Sequence, residues 1–127
     1  KYNFQFGTLA SNIKNKETYT NENIVKVITK ENLNNENFPE AINFTRKIIE
    51  QNTKIYHHLG IYCYTKETLK DFVSLTQSSN ETKNNLEQLR ALDNNMTINV
   101  ALAKSSPIGV DTEEDFVAIK KIMEYKS

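Results

Sequence analysis

The 127 residues carry 16 Lys+Arg against 16 Asp+Glu, a balance that argues against a nucleic-acid surface or an acidic tail. One cysteine excludes an internal disulfide, which fits a cytoplasmic location. No apolar run is long enough to span a bilayer, no signal peptide is evident, and the length suits one domain with a modest core.

The chain opens on Lys1 and reads as a strand almost at once, as a piece of a longer protein or a trimmed form would. Asn3 to Ala10 alternates as a strand. Residues 11–22 are polar and read as a loop or a short helical turn. A second strand covers 24–29. An Asn-rich connection over 31–40, closed by Phe38-Pro39, reverses the chain. That reversal makes 24–29 and 41–45 neighbours, with Arg46 at the exit. Residues 47–53 read as a linker.

The stretch from Lys54 to Tyr64 holds both histidines, the only cysteine, a glycine and three of the six tyrosines. Its aromatic and β-branched residues predict a buried strand. Alternation places Tyr56, His58, Gly60, Tyr62 and Tyr64 on one face and Ile55, His57, Leu59, Ile61 and Cys63 on the other. The second face is the greasier and is expected to meet the core. The first is a hydrogen-bonding row with a glycine gap, through which a ligand or another backbone can come close.

Thr65 is placed to cap a helix over 66–75, with Leu69, Phe72 and Val73 on one face. Ser78-Ser79-Asn80 opens a second helix over 80–93, carried by Leu86, Leu89 and Leu92 and stopped by Asp93-Asn94-Asn95. Thr97 to Lys104 alternates as a strand. Pro107 to Asp111 is a turn. Thr112-Glu113-Glu114-Asp115 is a capping-box pattern before a last helix bearing Phe116, Ile119, Ile122 and Met123. The order β-β-β-β-α-α-β-α is a mixed α/β pattern without internal repeats.

Three groups could carry chemistry. His58 and Tyr62 share a strand face beside a glycine and together could grip a polyhydroxylated ligand; satisfied core residues would look the same. Leu86-Glu87-Gln88-Leu89-Arg90 puts two leucines on the core and three polar residues elsewhere, as an ordinary solvated helix does. Asp111 stands just before a capped helix. It could close the helix end, or bind Mg²⁺, which is usually held by one or two carboxylates plus phosphates.

In order and wording, these motifs resemble one family. His58-Leu59-Gly60-Ile61-Tyr62-x-Tyr64, Leu86-Glu87-Gln88-Leu89-Arg90 and Gly109-Val110-Asp111-Thr112-x-Glu114-Asp115 are similar to the C-terminal half of the 3-deoxy-manno-octulosonate cytidylyltransferases, the CMP-Kdo synthetases. Val25-Lys26-Val27 and Ala41 to Arg46 look like that family's paired strands, with Thr45 in place of a common serine. The resemblance runs from about Thr8 to Met123.

It implies the C-terminal portion of a nucleotide-diphospho-sugar transferase fold, Rossmann-like with a mixed sheet, over residues 1–127. The hairpin 24–46 would be the dimerisation element of a homodimer. It implies a cytoplasmic, Mg²⁺-dependent enzyme that makes CMP-Kdo and pyrophosphate from CTP and Kdo for lipopolysaccharide synthesis. Arg46, His58, Tyr62, Glu87 and Gln88 would contact the sugar acid, and Asp111 would bind Mg²⁺. The family's triphosphate-holding loop and second metal-binding aspartate lie in its N-terminal half and have no counterpart in these residues. No glycine-rich phosphate loop occurs either. Of two glutamates in the family's helix before Leu86, Glu81 is kept and Asn84 replaces the other. The chain alone is therefore expected to be inactive. The alternatives are a non-catalytic dimerising or sugar-acid-binding module of that descent, and a cytidylyltransferase for a related sugar acid.

Overall fold

A computed structural model describes residues 5–48, 54–104 and 113–126. Strand β1 (Phe6–Ser11) is followed by a 3-10 helix at Lys16–Tyr19, then by β2 (Lys26–Thr29), β3 (Ala41–Thr45) and β4 (Ile55–Tyr64). Helices α1 (Lys66–Ser74), α2 (Ser79–Asn84) and α3 (Leu89–Asp93), strand β5 (Asn99–Leu102) and helix α4 (Glu113–Lys126) complete the order. Most of the expected 47–53 linker and the 107–111 turn, Asp111 included, lie outside the described residues.

The described strands form one mixed sheet in the order β3-β2-β4-β1-β5. Only β1 and β5 run parallel. The reversal after Phe38-Pro39 pairs β2 with β3, with Val27 opposite Phe44. The run entering β3 also bonds to the start of β5. Ala41 donates to Ile98 at 2.8 Å, Val100 donates to Pro39 at 2.9 Å, and the Asn99 amide donates to Phe38 at 2.8 Å.

The core lies on the tyrosine face of β4, and this corrects the sequence reading. Phe6, Ala10, Val27, Phe44 and Tyr56 form one buried cluster with Phe72, Leu86, Leu89, Ala91, Ile98 and Val100, and Tyr62 and Tyr64 pack against it. On the face expected to be buried, Ile55 and Leu59 are covered, but Ile61 is 55% exposed and Cys63 is open. Hydropathy ranked the two faces by side-chain type. Burial is decided by where the helices pack: Phe72 of α1 meets Phe6 at 5.9 Å and Tyr64 at 6.4 Å. An aromatic of this size contributes about 1.5–3 kcal/mol when buried, whatever its polar tip.

The helix expected over 80–93 is two short ones. Ser78 and Glu81 form a capping box that starts α2. Asn85 takes a left-handed conformation (φ 54°, ψ 46°) that ends it. Asn is among the few non-glycine residues that visit this region readily. Arg46 then accounts for the freed backbone, donating to Asn84 O at 3.3 Å and Asn85 O at 3.1 Å. On α1, Thr65 caps as expected, accepting from the Thr68 N–H at 3.2 Å. The apolar face read there is only partly buried, since Phe72 is covered while Leu69 and Val73 are exposed. On α4, Phe116 and Met123 are likewise exposed.

Lys26 is a lysine buried beside the core. Its side chain is fully buried, and Nζ donates to the carbonyls of Asn21, Ile24 and Arg46. Burial first, and then the Arg46 charge, pull its pKa down to about 8. The ammonium thereby joins the loop before β2 to the exit of β3, the position of Arg46.

Candidate functional site

The site is built along β4. Thr8 lies opposite Tyr62 and Leu9 opposite Leu59, so Gly60 and Ile61 bulge out with no opposite number on β1. Because two residues are inserted, the alternation survives. His58, Tyr62 and Tyr64 keep one face, as the sequence predicts. A Cβ placed on Gly60 would meet nothing within 4 Å, so no described residue occupies the glycine gap.

His58 is 7% exposed and sits edge-on to Phe44, with ring centroids 4.9 Å apart, and 5.6 Å from Tyr62. Burial, with a smaller push from His57, lowers its pKa to about 4, so the ring is neutral at physiological pH. Its Nε2 lies 2.9 Å from the Thr8 hydroxyl. Tyr62 stacks on Tyr64 at 6.1 Å. Burial, followed by coupling to Tyr64 and the negative Glu87, raises its pKa, so the phenol keeps its proton.

The turn between α2 and α3 supplies the other side. Glu87, with a side chain 71% exposed, is felt electrostatically by Tyr62 and Tyr64 and so faces that end of β4. Gln88 is 7% exposed, a correction to the solvated position expected of it. Arg90, also expected at the surface, lies half-buried over the Phe72 ring at 5.1 Å and grips Glu81 with two bonds of 2.9 and 2.7 Å. Glu81 and Arg90 thus clamp the start of α2 to α3 and hold the intervening turn.

Arg46 belongs to the same assembly, although three of its N–H groups are committed to the carbonyls of Asn84, Asn85 and Glu22. Two of the five in a guanidinium remain. The structure therefore brings together His58, Tyr62 and Glu87, with Gln88 buried on the turn that carries Glu87 and Arg46 tethered to that turn. A cavity of about 580 Å³ beside Thr68, Asp71 and Met96 contains none of the expected residues. An apolar groove of about 400 Å³ beside Leu9, Ile61 and Cys63 contains Tyr62 alone. No cluster of three or more His, Cys, Asp or Glu that could hold a metal occurs among the described residues. Asp111 lies outside them, and a lone carboxylate is enough only for a Mg²⁺ shared with phosphates. Thr8 and the Glu81–Arg90 clamp are the parts the sequence reading did not assign to the site. Thr8 has no local signal, because its partner is fifty residues away.

The chain belongs to the cytidylyltransferase family, whose model matches residues 1–98. The 3-deoxy-manno-octulosonate cytidylyltransferase of Bartonella quintana (strain Toulouse) is 40% identical over 117 residues, covering 91% of this chain and 47% of that protein. The enzyme of the same name from Rhizobium johnstonii is 38% identical over 122 residues, covering 95% and 48%. A solved CMP:2-keto-3-deoxy-manno-octonic acid synthetase complexed with CTP shares the fold. Its TM-score is 0.79 at 24% identity, over 97% of this chain and 50% of that one. The chain spans about half the length of the curated relatives it matches.

Proposed function

We propose that this chain is the sugar-acid side of a cytidylyltransferase that transfers CMP from CTP to Kdo, releasing pyrophosphate, and that it works as a homodimer in the cytoplasm through the 24–46 hairpin. The observation that carries the reading is the set of polar groups left for a ligand. Nδ1 of His58, the Tyr62 hydroxyl and the Gln88 amide have no protein partner among the described residues. A polar group so placed costs about 1–3 kcal/mol unless water or ligand meets it. A polyhydroxylated sugar acid would satisfy all three.

In this reading the sugar's anomeric hydroxyl attacks the α-phosphorus of CTP. The new P–O bond forms as the bond to the β-phosphate oxygen breaks. Arg46 turns its two remaining N–H groups to the sugar carboxylate. Tyr62, Glu87 and Gln88 hold hydroxyls and fix the ring in line with the nucleotide, since positioning supplies much of the acceleration in such reactions. Asp111 would hold Mg²⁺ together with the nucleotide phosphates, and the ion would offset charge growing on them. The chain alone is expected to make no CMP-Kdo, because the loop that holds the triphosphate in the family has no counterpart in these residues. Titration of the labelled chain with Kdo tests the reading. Saturable shifts of His58, Tyr62 and Gln88 signals are expected. No saturation up to about 10 mM, a free energy under roughly 3 kcal/mol, would overturn it.

A further inference from the structure

We infer that Thr8 is a positioning residue that fixes His58 in the Nε2–H form, so that Nδ1 presents a lone pair and the ligand group it receives is a hydroxyl. The inference rests on the sugar-acid reading for the ligand and on hydrogen-bond accounting for the tautomer.

A threonine hydroxyl has one proton. The Thr8 oxygen lies 2.8 Å from Ile61 O, 3.4 Å from Leu59 O and 2.9 Å from His58 Nε2. Ile61 is in the bulge and has no residue opposite it on β1, so Thr8 is the group that meets its carbonyl. If the hydroxyl proton pointed at His58, two lone-pair oxygens would face each other at 2.8 Å across a buried bulge. Donation to Ile61 O removes that clash and leaves Oγ1 as the acceptor. Nε2 must then carry the proton, and a neutral ring leaves Nδ1 bare.

Two further observations fit. Thr8 is buried, so water does not compete for its proton. Among the described residues Nδ1 has no partner, which leaves its lone pair for another group, the ligand of the reading above. A lone pair there repels a carboxylate or phosphate oxygen and accepts from a hydroxyl. The anionic end of the sugar acid must therefore lie away from His58, and one of its alcohols must lie against it.

Nitrogen-15 spectra of the His58 ring in the free chain test the tautomer without any ligand. The expected result is a protonated Nε2 and a bare Nδ1. A protonated Nδ1 overturns the inference. In Thr8→Val the Nδ1–H form should become a major species, and an unchanged tautomer in the folded variant overturns the role of Thr8. Thr8→Ser is the variant safer for folding. With the hydroxyl kept, the Nε2–H form must persist, and its loss there is equally fatal. Adding Kdo should move Nδ1 toward the hydrogen-bonded range, and Thr8→Val should weaken binding roughly three- to tenfold. Kdo binding that leaves Nδ1 unmoved overturns the acceptor role. Absence of any Kdo binding overturns the sugar-acid reading and the acceptor role with it, while the tautomer is still decided by the free chain.

Discussion

His58 makes the stability of the molecule depend on pH in a window that ordinary carboxylates do not cover. Its folded pKa of about 4 lies below the unfolded value of roughly 6.5. The unfolded state therefore binds the extra proton between these values. The stabilisation is complete above the unfolded value and is lost as pH falls through the window, by at most about 1.4 kcal/mol per unit. His57, lowered mainly by burial and then by Lys26, acts in the same direction. Chemical denaturation from pH 7 to 4.5 should show a falling stability, and His58→Gln should flatten much of that slope. An unchanged slope would mean that His58 is not desolvated. At the other end of the proposed site, Asp111→Asn separates a metal ligand from a helix cap. Asn caps about as well as Asp. In a full-length enzyme the melting temperature should hold while turnover falls about a hundredfold or more. Unchanged turnover would return Asp111 to a structural role.

Among the elements, the break between α2 and α3 places Glu87 and Gln88, and Asn85 makes the break. A β-branched residue in the left-handed region costs about 1–2 kcal/mol more than one that visits it freely. Asn85→Val should lower the melting temperature by several degrees, and Asn85→Gly should leave it nearly unchanged. Equal melting of the two would show that the turn does not depend on this residue's conformation. The leucines at 86, 89 and 92 continue the helical spacing across the break, and this is why the sequence reads as one helix. The adjacent Asn84-Asn85 was the available contrary signal. Deciding between them takes Arg46, thirty-eight residues upstream, which receives the freed carbonyls. Strand β4 was legible throughout, and so was the shared face of His58 and Tyr62. Which face meets the core was not, because Tyr56, Tyr62 and Tyr64 read as polar by their tips yet pack by their rings. Lys26 was illegible for the same kind of reason. Its burial depends on three carbonyls from two separate segments, the loop before β2 and the exit of β3.

At the scale of the molecule, large apolar side chains reach the surface on several elements. Ile42 on the outer strand β3, Ile61 on β4 and the Leu69/Val73 pair on α1 are all exposed. Beyond the Lys26–His57 pairing, the β2 side of β4 has no strand partner among the described residues apart from the His58 N–H, which reaches Val25. Open edges and apolar faces of this kind invite association. Sedimentation at micromolar concentration should therefore show dimers, and Ile42→Lys should shift them toward monomer if the hairpin is the contact. A wild-type chain that is wholly monomeric would argue against the dimer.

The central claim is that these residues are the sugar-acid half of a CMP-transferring enzyme. The most direct measurement replaces the matched C-terminal half of the Bartonella quintana relative with this chain and assays the chimaera with CTP, Kdo and Mg²⁺. Pyrophosphate release and CMP-Kdo are expected from the chimaera, and neither from the 127-residue chain alone. A folded chimaera that binds CTP yet makes no CMP-Kdo would contradict it.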